Sequence, residues 1–422
     1  MTSSLFKRTK ALMETDPQKY NAETAQSYLK AHEQHGVDFL SMAVLVNDAK
    51  EPVTIPDLEI GDGTLAVPDD KFIREIRPTL TTEQLASVQY GGAGNVALPA
   101  AALGIKTGVI GYVGKDIEGG FFIGGMRANS INTLGIIIDE RFRTDLAFAP
   151  MDETGRRAPI AFCEDAGKYL DPNDKRVKER LLFLNPQIVQ VSYSGLFERG
   201  GDLEGGKRLA SGISWMKKNL ETLVMLDTHT YTTDPKRYDC LKPSLQVADM
   251  FVCSNDEVNL IVPQFRIQAG PTEEERKKAF LAFIEENYCK GTEARLYAVT
   301  SPEKTTVLYY KPNDKSVQLA VGNWFFTTKE HIFDTTGAGD SWRAGLNAYI
   351  LHHLNEYKTG TLNIEEAVQC ANLTARLYIS GKGTSAFKNY KYQDIMNLVS
   401  KPKPETDLSC LTRVYDALDR AA

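Results

Sequence analysis

Long apolar runs, clusters of basic residues and paired cysteines are all missing from this sequence of 422 residues. Its six cysteines are scattered without a C-x-x-C pair, which argues against a zinc site and against a disulfide framework. No apolar run approaches about 18 residues, and no apolar signal segment follows the N-terminal residues, so we expect neither a membrane span nor secretion. These absences together favour a protein of the reducing cytoplasm.

The charge of the chain gives no sign of a nucleic-acid-binding protein. The formal net charge is −6, and no Lys/Arg-rich run stands out, so we expect no nucleic-acid partner. With 42% hydrophobic and 25% charged residues, the chain is an ordinary globular one, able to bury one large core or two moderate ones. Since internal repeats and low-complexity segments are also absent, function must be sought in local motifs.

Short apolar runs alternate with helix-like segments along most of the chain. The runs have the length and composition of buried parallel strands. They lie at 37–46, 187–191, 223–227, 250–253 and 296–300, with a helix-like stretch at 207–219 between the second and the third. This alternation predicts an α/β fold built on a parallel sheet.

Segments of different character flank and interrupt this pattern. Residues 1–36 are predicted to form an appended helix capped by Asn21, and 401–422 a short C-terminal extension. Proline-rich and alternating stretches at about 49–88 and 144–162 are typical of small β-rich pieces. We predict that these two pieces form one lid on the main domain of 37–400.

A glycine-rich heptapeptide late in the chain is the strongest functional signal. It reads Asp334-Thr-Thr-Gly-Ala-Gly-Asp340 and opens a helix-like stretch at 341–351. The small residues at 337–339 let backbone N–H groups crowd together where a helix begins, and the helix dipole favours an anion such as phosphate there. Asp340 would repel that anion unless it accepts a proton, which makes it a candidate general base. An ordinary helix N-cap is the alternative explanation for Asp340.

The heptapeptide resembles the C-terminal signature of the ribokinase-like carbohydrate kinases, also called the PfkB family. The resemblance implies a three-layer α/β/α fold with a mostly parallel central sheet and a small β-rich lid. It also implies that Asp340 is the catalytic base and that the backbone of Gly337, Ala338 and Gly339 forms an anion hole. The cofactors that it implies are ATP and Mg²⁺, with a monovalent cation such as K⁺ as a further candidate. A homodimer formed through the lid is expected on the same basis.

A second glycine-rich region supports the same resemblance. Gly91 and Gly92 precede Asn95 and an alanine-rich helix-like stretch, and a Gly-x-x-Gly-x-Asp-x-x-Gly pattern follows at 111–119. In the family such glycines let the sugar approach the backbone closely. The resemblance implies that Asn95 binds a sugar hydroxyl, and that Asp48, at the end of the first predicted strand, binds another.

The same region also fits a different function. Gly92-x-Gly94-x-x-Ala97 satisfies the dinucleotide-binding fingerprint, and Asp116 lies about 20 residues further on, as a ribose-binding acid would. The fingerprint should follow a well-formed strand, whereas residues 85–90 are short and mixed in character. The kinase interpretation explains more residues, so we favour it over a dehydrogenase.

The expected nucleotide site departs from the family pattern in two places. The family has an Asn-x-x-Glu motif that organises magnesium near the phosphates, but here Asn255 is followed three residues later by Val258, and the acid stands at Glu257. Thr300 is followed by Ser301-Pro302 where sugar kinases of the family show glycines. The resemblance also assigns Thr336, Asn372 and Gly383 to the nucleotide site.

Two further polar sites stay open. Asp227 and His229 follow a predicted strand and lie near any active site at that edge of the sheet, or in a plain polar loop. Arg199, beside two glycines, is a candidate ligand contact that the sequence does not decide.

The sequence therefore predicts an ATP-dependent kinase that phosphorylates a hydroxymethyl group of a sugar or sugar-like compound. A nucleoside kinase of the adenosine or the inosine/guanosine type is the alternative, favoured by the long insertion and by the missing glycines after Thr300. A catalytically inactive nucleotide-binding homologue is the second alternative, suggested by Val258 and by Ser301-Pro302.

Overall fold

The fold is known from a computed structural model. It describes residues 3–48, 53–54, 89–148, 150–151, 161–163, 166–194, 204–228, 235–311, 315–325, 337–380 and 390–400. The predicted C-terminal extension at 401–422, and all of the predicted lid piece at 49–88 except residues 53–54, lie outside these residues.

A nine-stranded sheet forms the centre of the molecule. In spatial order it consists of β15 (Lys315–Gly322), β14 (Lys304–Lys311), β13 (Arg295–Thr300), β12 (Met250–Ser254), β11 (Leu223–Asp227), β10 (Ile188–Val191), β1 (Phe39–Met42), β5 (Thr107–Val113) and β6 (Asn132–Ile138). The strands from β13 to β6 are parallel, and β14 and β15 add an antiparallel edge. The predicted parallel sheet is thus confirmed.

A second, four-stranded sheet forms the lid. Its spatial order is β4 (Gln89–Gly92), β2 (Leu45–Asp48), β7 (Asp145–Phe148) and β9 (Ala161–Cys163). Two strands of the predicted β-rich piece at 144–162 pair here, because β7 and β9 run antiparallel. A two-stranded pair, β3 (Val53–Thr54) with β8 (Pro150–Met151), joins the two predicted lid pieces.

The predicted single strand at 37–46 is wrong. The chain leaves the large sheet after Met42, passes Ala43 and Val44, and enters the small sheet as β2. Both halves are buried, so the apolar run has no polar residue that would mark the break. The carbonyl of Val44 instead accepts a hydrogen bond from the Ala93 N–H at 3.0 Å, and this bond fixes the crossing.

Helices cover both faces of the large sheet. In chain order they are α1 (Ser3–Thr15), α2 (Ala22–Ala31), α3 (Ala93–Ala102), α4 (Ile117–Ala128), α5 (Lys175–Leu184), α6 (Lys207–Leu220), α7 (Leu241–Val247), α8 (Asn255–Gln264), α9 (Glu273–Tyr288), α10 (Ala338–His352), α11 (Leu354–Thr359), α12 (Ile364–Ile379) and α13 (Tyr392–Val399). Short 3₁₀ segments lie at Glu33–His35, Gly167–Tyr169 and Pro235–Cys240.

The hydrophobic core has two layers of side chains, one on each face of the large sheet, as a three-layer α/β/α fold requires. Alternate side chains of one strand belong to different layers: Leu40 packs with one cluster and Phe39 with the other. The first cluster contains residues of α1, α2, α5, α6, α8 and α9, and the second contains residues of α3, α10, α12 and α13. The predicted three-layer α/β/α arrangement is confirmed.

The N-terminal segment is two helices rather than the one predicted. Asn21 caps α2 as expected, accepting a hydrogen bond from the Thr24 N–H at 2.9 Å. Leu12 of α1 is fully buried in the first core layer, so this segment contributes to the core of the domain. No helix among the described residues has the length and apolar character needed to cross a bilayer.

Candidate active site

The glycine-rich signature forms the N-terminus of α10. Gly337 is the N-cap, with a φ of 80° that favours glycine, and a Cβ there would stand 3.0 Å from the Tyr378 hydroxyl. The Ser341 N–H pairs back to the Gly337 carbonyl at 2.9 Å. Because the N–H groups at the start of a helix have no intrahelical acceptor, those of Gly337, Ala338 and Gly339 are directed out of the helix end, where they suit an anion.

Asp340 lies inside the first turn of α10, so it is not the N-cap. The helix begins at Ala338, three residues earlier than predicted. The carboxylate is buried, and each oxygen accepts a hydrogen bond: Oδ2 from the Tyr193 hydroxyl at 2.7 Å and Oδ1 from Arg343 Nη1 at 3.1 Å. A carboxylate held this way keeps a fixed orientation beside the free amides.

Arg343 bridges two buried carboxylates. Besides Asp340, its Nε lies 3.4 Å from Asp227 Oδ2, and all three side chains are almost fully buried. Burial alone would lower the pKa of Arg343, but the carboxylates of Asp227, Asp340 and Glu257 raise it overall. One cation therefore faces three acids.

The excess of buried negative charge affects the pKa values of the three acids. Burial raises the pKa of Asp340 to about 6, although the charge of Arg343 acts in the opposite direction and that of Asp227 adds to the rise. Burial also raises the pKa of Asp227 and that of Glu257, again against the influence of Arg343. A base with a pKa near neutrality combines sufficient ionisation with sufficient proton affinity, which suits general base catalysis.

Tyr193 completes the cluster, and the sequence reasoning missed it. It follows β10 at the carboxyl edge of the sheet, with its backbone at a φ of 57°. Its N–H donates to Asp227 Oδ1 at 2.8 Å, and its hydroxyl accepts from Asn95 Nδ2 at 3.3 Å. Asn95 and Asp340, two predicted site residues, are therefore joined through one phenol oxygen.

A polar chain through the core orients Asp227. Gln190 Nε2 donates to Asp227 Oδ2 at 3.0 Å, and Asn347 Nδ2 donates to Gln190 Oε1 at 2.7 Å. All three side chains are buried. Asp227 thus belongs to the site, and the open alternative of a plain loop residue does not fit its position. The other open residues, His229 and Arg199, lie outside the described part of the chain.

The predicted sugar contacts lie where the lid meets α3. Gly91 is in β4 and leaves room for the Asp48 carboxylate of β2, which packs directly against its Cα. Gly92 is the N-cap of α3 with a φ of 57°, and Asn95 is the third residue of that helix. The structure therefore brings Asp48, Gly91, Gly92 and Asn95 to one junction.

Several predicted nucleotide contacts share the carboxyl edge of the sheet. Ser254 and Glu257 form a capping box on α8, and the Glu257 carboxylate accepts from the Ser254 N–H at 2.7 Å and from the Thr228 hydroxyl at 3.2 Å. Asn255 is the first residue of α8, and Thr300 pairs with Ser254 across the neighbouring strands. Val258, which stands where the family pattern has its acid, is buried in the hydrophobic core.

Other predicted nucleotide contacts are not joined to this cluster. Asn372 of α12 accepts from Trp342 Nε1 at 2.8 Å and donates to Gln369 Oε1 at 3.3 Å, so its amide ties α12 to α10. Thr336 and Gly383 lie outside the described residues.

The dinucleotide-binding alternative does not fit the fold. β4, which precedes the Gly92-x-Gly94 fingerprint, lies in the small sheet, antiparallel to β2, and not in the large parallel sheet. Asp116 caps α4 and accepts hydrogen bonds from the Gly119 N–H and the Thr144 N–H, both at 2.8 Å. The Asp116 carboxylate is thus occupied by backbone hydrogen bonds, whereas a ribose-binding acid needs carboxylate oxygens that are accessible to the ligand.

The residues at the nucleotide edge fit a magnesium ion bound mainly by phosphate and water. Within the described ranges, no group of three or more His, Cys, Asp or Glu side chains could hold a metal ion. Both Glu257 oxygens accept protein hydrogen bonds, while the buried Asn255 Oδ1 has no partner among the described residues. Magnesium usually keeps several waters and needs few protein ligands, so contact through water suits this pair.

Comparison with known proteins agrees with this geometry. The family model described as "pfkB family carbohydrate kinase" matches residues 64–390. The chain is 23% identical to a 5-dehydro-2-deoxygluconokinase of Bacillus subtilis over 314 residues, which cover 73% of this chain and 86% of the relative.

Two solved structures illustrate the likeness in fold. A ribokinase from Giardia lamblia has a TM-score of 0.60 at 18% identity, covering 86% of this chain and 98% of its own. A Burkholderia thailandensis nucleoside kinase in complex with inosine has a TM-score of 0.56 at 14% identity, covering 87% and 100%. Since the family model spans more than half of the chain, this protein belongs to the pfkB family of carbohydrate kinases, enzymes that transfer a phosphoryl group from ATP to a sugar.

Proposed function

We propose that this kinase phosphorylates a hydroxymethyl group of a sugar or sugar-like compound, with Asp340 as general base. The observation that supports this most directly is a buried carboxylate, with a pKa of about 6, in the same helical turn as three outward-directed amides. The carboxylate already accepts a hydrogen bond from a hydroxyl group, that of Tyr193, at 2.7 Å. An acceptor alcohol needs the same interaction.

In this proposal the residues divide the reaction among them. Asp340 takes the proton from the attacking hydroxyl while the amides of Gly337, Ala338 and Gly339 stabilise charge on the transferring phosphoryl group. Arg343 holds the carboxylate toward that group. The sugar is oriented by the following residues: Asp48, Gly91, Gly92 and Asn95.

The nucleotide side follows from the same edge of the sheet. The residues proposed to contact ATP are Asn255, Glu257, Thr300, Thr336, Asn372 and Gly383. Magnesium, when bound, neutralises charge on the phosphates, and Glu257 with Asn255 would hold its water ligands. A monovalent cation such as K⁺ is a further candidate at this site.

Asp340→Asn tests the assignment of the base. A positioned base is typically worth about 10²- to 10⁴-fold, so kcat is expected to fall by that factor while ATP affinity changes little. Asp174→Asn is a matched control, because Asp174 is a half-buried carboxylate paired with Arg176 outside the cluster. An Asp340→Asn variant that keeps most of its turnover removes Asp340 from the mechanism.

A nucleoside substrate is the second candidate. The fold likeness to a nucleoside kinase, the insertion at 49–88 and the missing glycines after Thr300 favour it. Measuring ADP release with 5-dehydro-2-deoxygluconate, fructose, ribose, inosine, guanosine and adenosine separates the two. ATP binding by titration without ADP release on any of these acceptors would instead support the inactive homologue.

We further propose a cytoplasmic homodimer that pairs through the lid and binds no nucleic acid. Among the described residues β4 and β9 form the edges of the small sheet, and an edge strand is suited to pairing with a second copy. The mass in solution, measured by light scattering, tests the dimer, and a monomer at micromolar concentration would contradict it.

A further inference from the structure

We propose that the phenol of Tyr193 occupies the acceptor position at Asp340 and withholds this base from water until a substrate hydroxyl displaces it. The inference rests on the proposed role of Asp340. Tyr193 thereby selects an alcohol over water as the phosphoryl acceptor.

The hydrogen bonds of the phenol are those that an acceptor alcohol would make. The Tyr193 hydroxyl donates to Asp340 Oδ2 at 2.7 Å and accepts from Asn95 Nδ2 at 3.3 Å. An attacking hydroxyl must give its proton to the same carboxylate, and Asn95 is the proposed donor to a sugar hydroxyl. Two oxygens cannot occupy this position together, so the sugar and the phenol exclude each other.

Water finds little room at the base while the phenol is in place. Asp340 is only 6% exposed, and its other oxygen accepts from Arg343 Nη1 at 3.1 Å. To reach the carboxylate, a water molecule would have to displace the Tyr193 hydroxyl or the Arg343 guanidinium and make up for the hydrogen bonds that are lost. A sugar brings several hydroxyls and their binding energy to the same task.

The backbone of Tyr193 shows that this placement is enforced. A φ of 57° is unusual for a bulky residue and strains the backbone, so the contacts around Tyr193 must hold it there. Asp227 supplies one of these contacts by accepting the Tyr193 N–H at 2.8 Å, and the Ser194 hydroxyl adds another by donating to the Asp227 carbonyl at 2.7 Å. The carboxylate next to the base therefore holds the phenol in position.

The reaction that an unprotected Asp340 would support is the hydrolysis of ATP by water. A water oxygen bonds to the terminal phosphorus of ATP, the bond from that phosphorus to the ADP oxygen breaks, and the water proton passes to Asp340. Without the phenol, this reaction competes with transfer to the sugar.

Tyr193→Phe tests the proposal, because it removes the hydroxyl and keeps the ring. ADP release is measured with ATP and Mg²⁺ and no acceptor, at about pH 8. The phenol hydrogen bond lowers the pKa of Asp340, so the variant has a higher one, and this pH lies above the wild-type value of about 6. We expect acceptor-free hydrolysis to rise at least about 10-fold, with an upper limit set by the roughly 10²- to 10⁴-fold that a positioned base supplies.

Tyr112→Phe is the matched control. Tyr112 is also a buried tyrosine whose hydroxyl donates to a carboxylate, Asp174 at 2.8 Å, but it lies outside the cluster. Its variant should hydrolyse ATP at the wild-type rate. Tyr193→Leu, which also lacks the phenol, gives a second measurement should the Phe variant fail to fold.

The possible outcomes separate this inference from the proposed function. Hydrolysis that is unchanged or lower in the folded Tyr193 variant overturns the inference. If Asp340→Asn has lost transfer in the same series, the base assignment survives that result. A rise that persists in the Asp340→Asn, Tyr193→Phe double variant also overturns the inference, because the water would then need no Asp340, and the base assignment is again decided by transfer to the sugar in Asp340→Asn.

Discussion

Removing the charge of Arg343 should shift the acid limb of the pH–activity profile to higher pH. Arg343 Nη1 lies 3.1 Å from Asp340 Oδ1, and its charge lowers the pKa of that carboxyl against the larger effect of burial. An arginine beside an aspartate is worth about 1–3 pKa units. Arg343→Met should therefore raise the pKa of Asp340 well above its value of about 6.

The sign of the effect on activity follows from the role of the base. Asp340 acts when it is deprotonated, so activity falls as the pH falls through its pKa. A variant with a higher pKa loses activity already at neutral pH and regains it in alkaline buffer. The assay is kcat/KM for the best acceptor of the panel, measured from about pH 5 to 10 for wild type, Arg343→Met and Arg343→Lys.

Two controls make this measurement decisive. The terminal phosphate of ATP itself titrates at about pH 6, but it does so equally for each variant. The shift in Asp340 is therefore measured as the difference between the profiles of the variant and the wild type. Arg343→Lys keeps the charge and loses the forked geometry, and its limb should move less. A folded Arg343→Met enzyme whose acid limb coincides with that of wild type would refute the coupling.

The same substitution should also make stability depend on pH. It leaves the buried acids Asp227, Asp340 and Glu257 without their cation, which costs about 3–5 kcal/mol. Acids with a raised pKa in the folded state bind protons there more readily than in the unfolded chain. The variant is therefore most stable at acid pH, and it loses stability as the pH rises from the unfolded value through the folded one. Thermal unfolding at several pH values measures this trend.

Two more predictions concern the fold that supports the site. Gly337→Ala should lower the melting temperature, because a φ of 80° strains alanine by on the order of 1–3 kcal/mol and the new Cβ meets the Tyr378 hydroxyl at 3.0 Å. Gly339→Ala, where φ is not positive, is the control, and an equal loss there would contradict the strain argument. Leu12→Ala should destabilise the protein by about 2–5 kcal/mol in urea unfolding, because Leu12 is fully buried in the main core. An unchanged midpoint would mean that α1 is not part of the cooperative unit.

The sequence predicted the large sheet well, because its parallel strands are short, apolar and regularly separated by helices. It failed at 37–46, where the chain changes sheets without changing character. Ala43 and Val44 are as buried as the strands on either side, so hydropathy carries no signal for the crossing. The bond that fixes it comes from Ala93, far along the chain.

The site was predicted in part for a similar reason. Asp340, Asn95 and Asp48 stand in glycine-rich motifs whose spacing is visible in the sequence. Arg343 could have been found, since residues three apart on a helix face the same side, and Asp340 stands three positions before it. Tyr193 could not, because it reaches Asp340 across 147 positions through a backbone conformation that no local motif announces.

The chain passes between the small sheet and the main domain at two places near the proposed sugar contacts, at Ala43 and Val44 and at the junction of Gly92 with Ala93. Asp48 travels with the small sheet, whereas Asn95 belongs to α3, which packs on the helix that carries Asp340. A tilt of the small sheet would bend the chain at both junctions and would alter the separation between these two proposed sugar contacts. If Asp48 and Asn95 bind the sugar as proposed, one movement of the small sheet would change both the sugar contacts and the access of solvent to them.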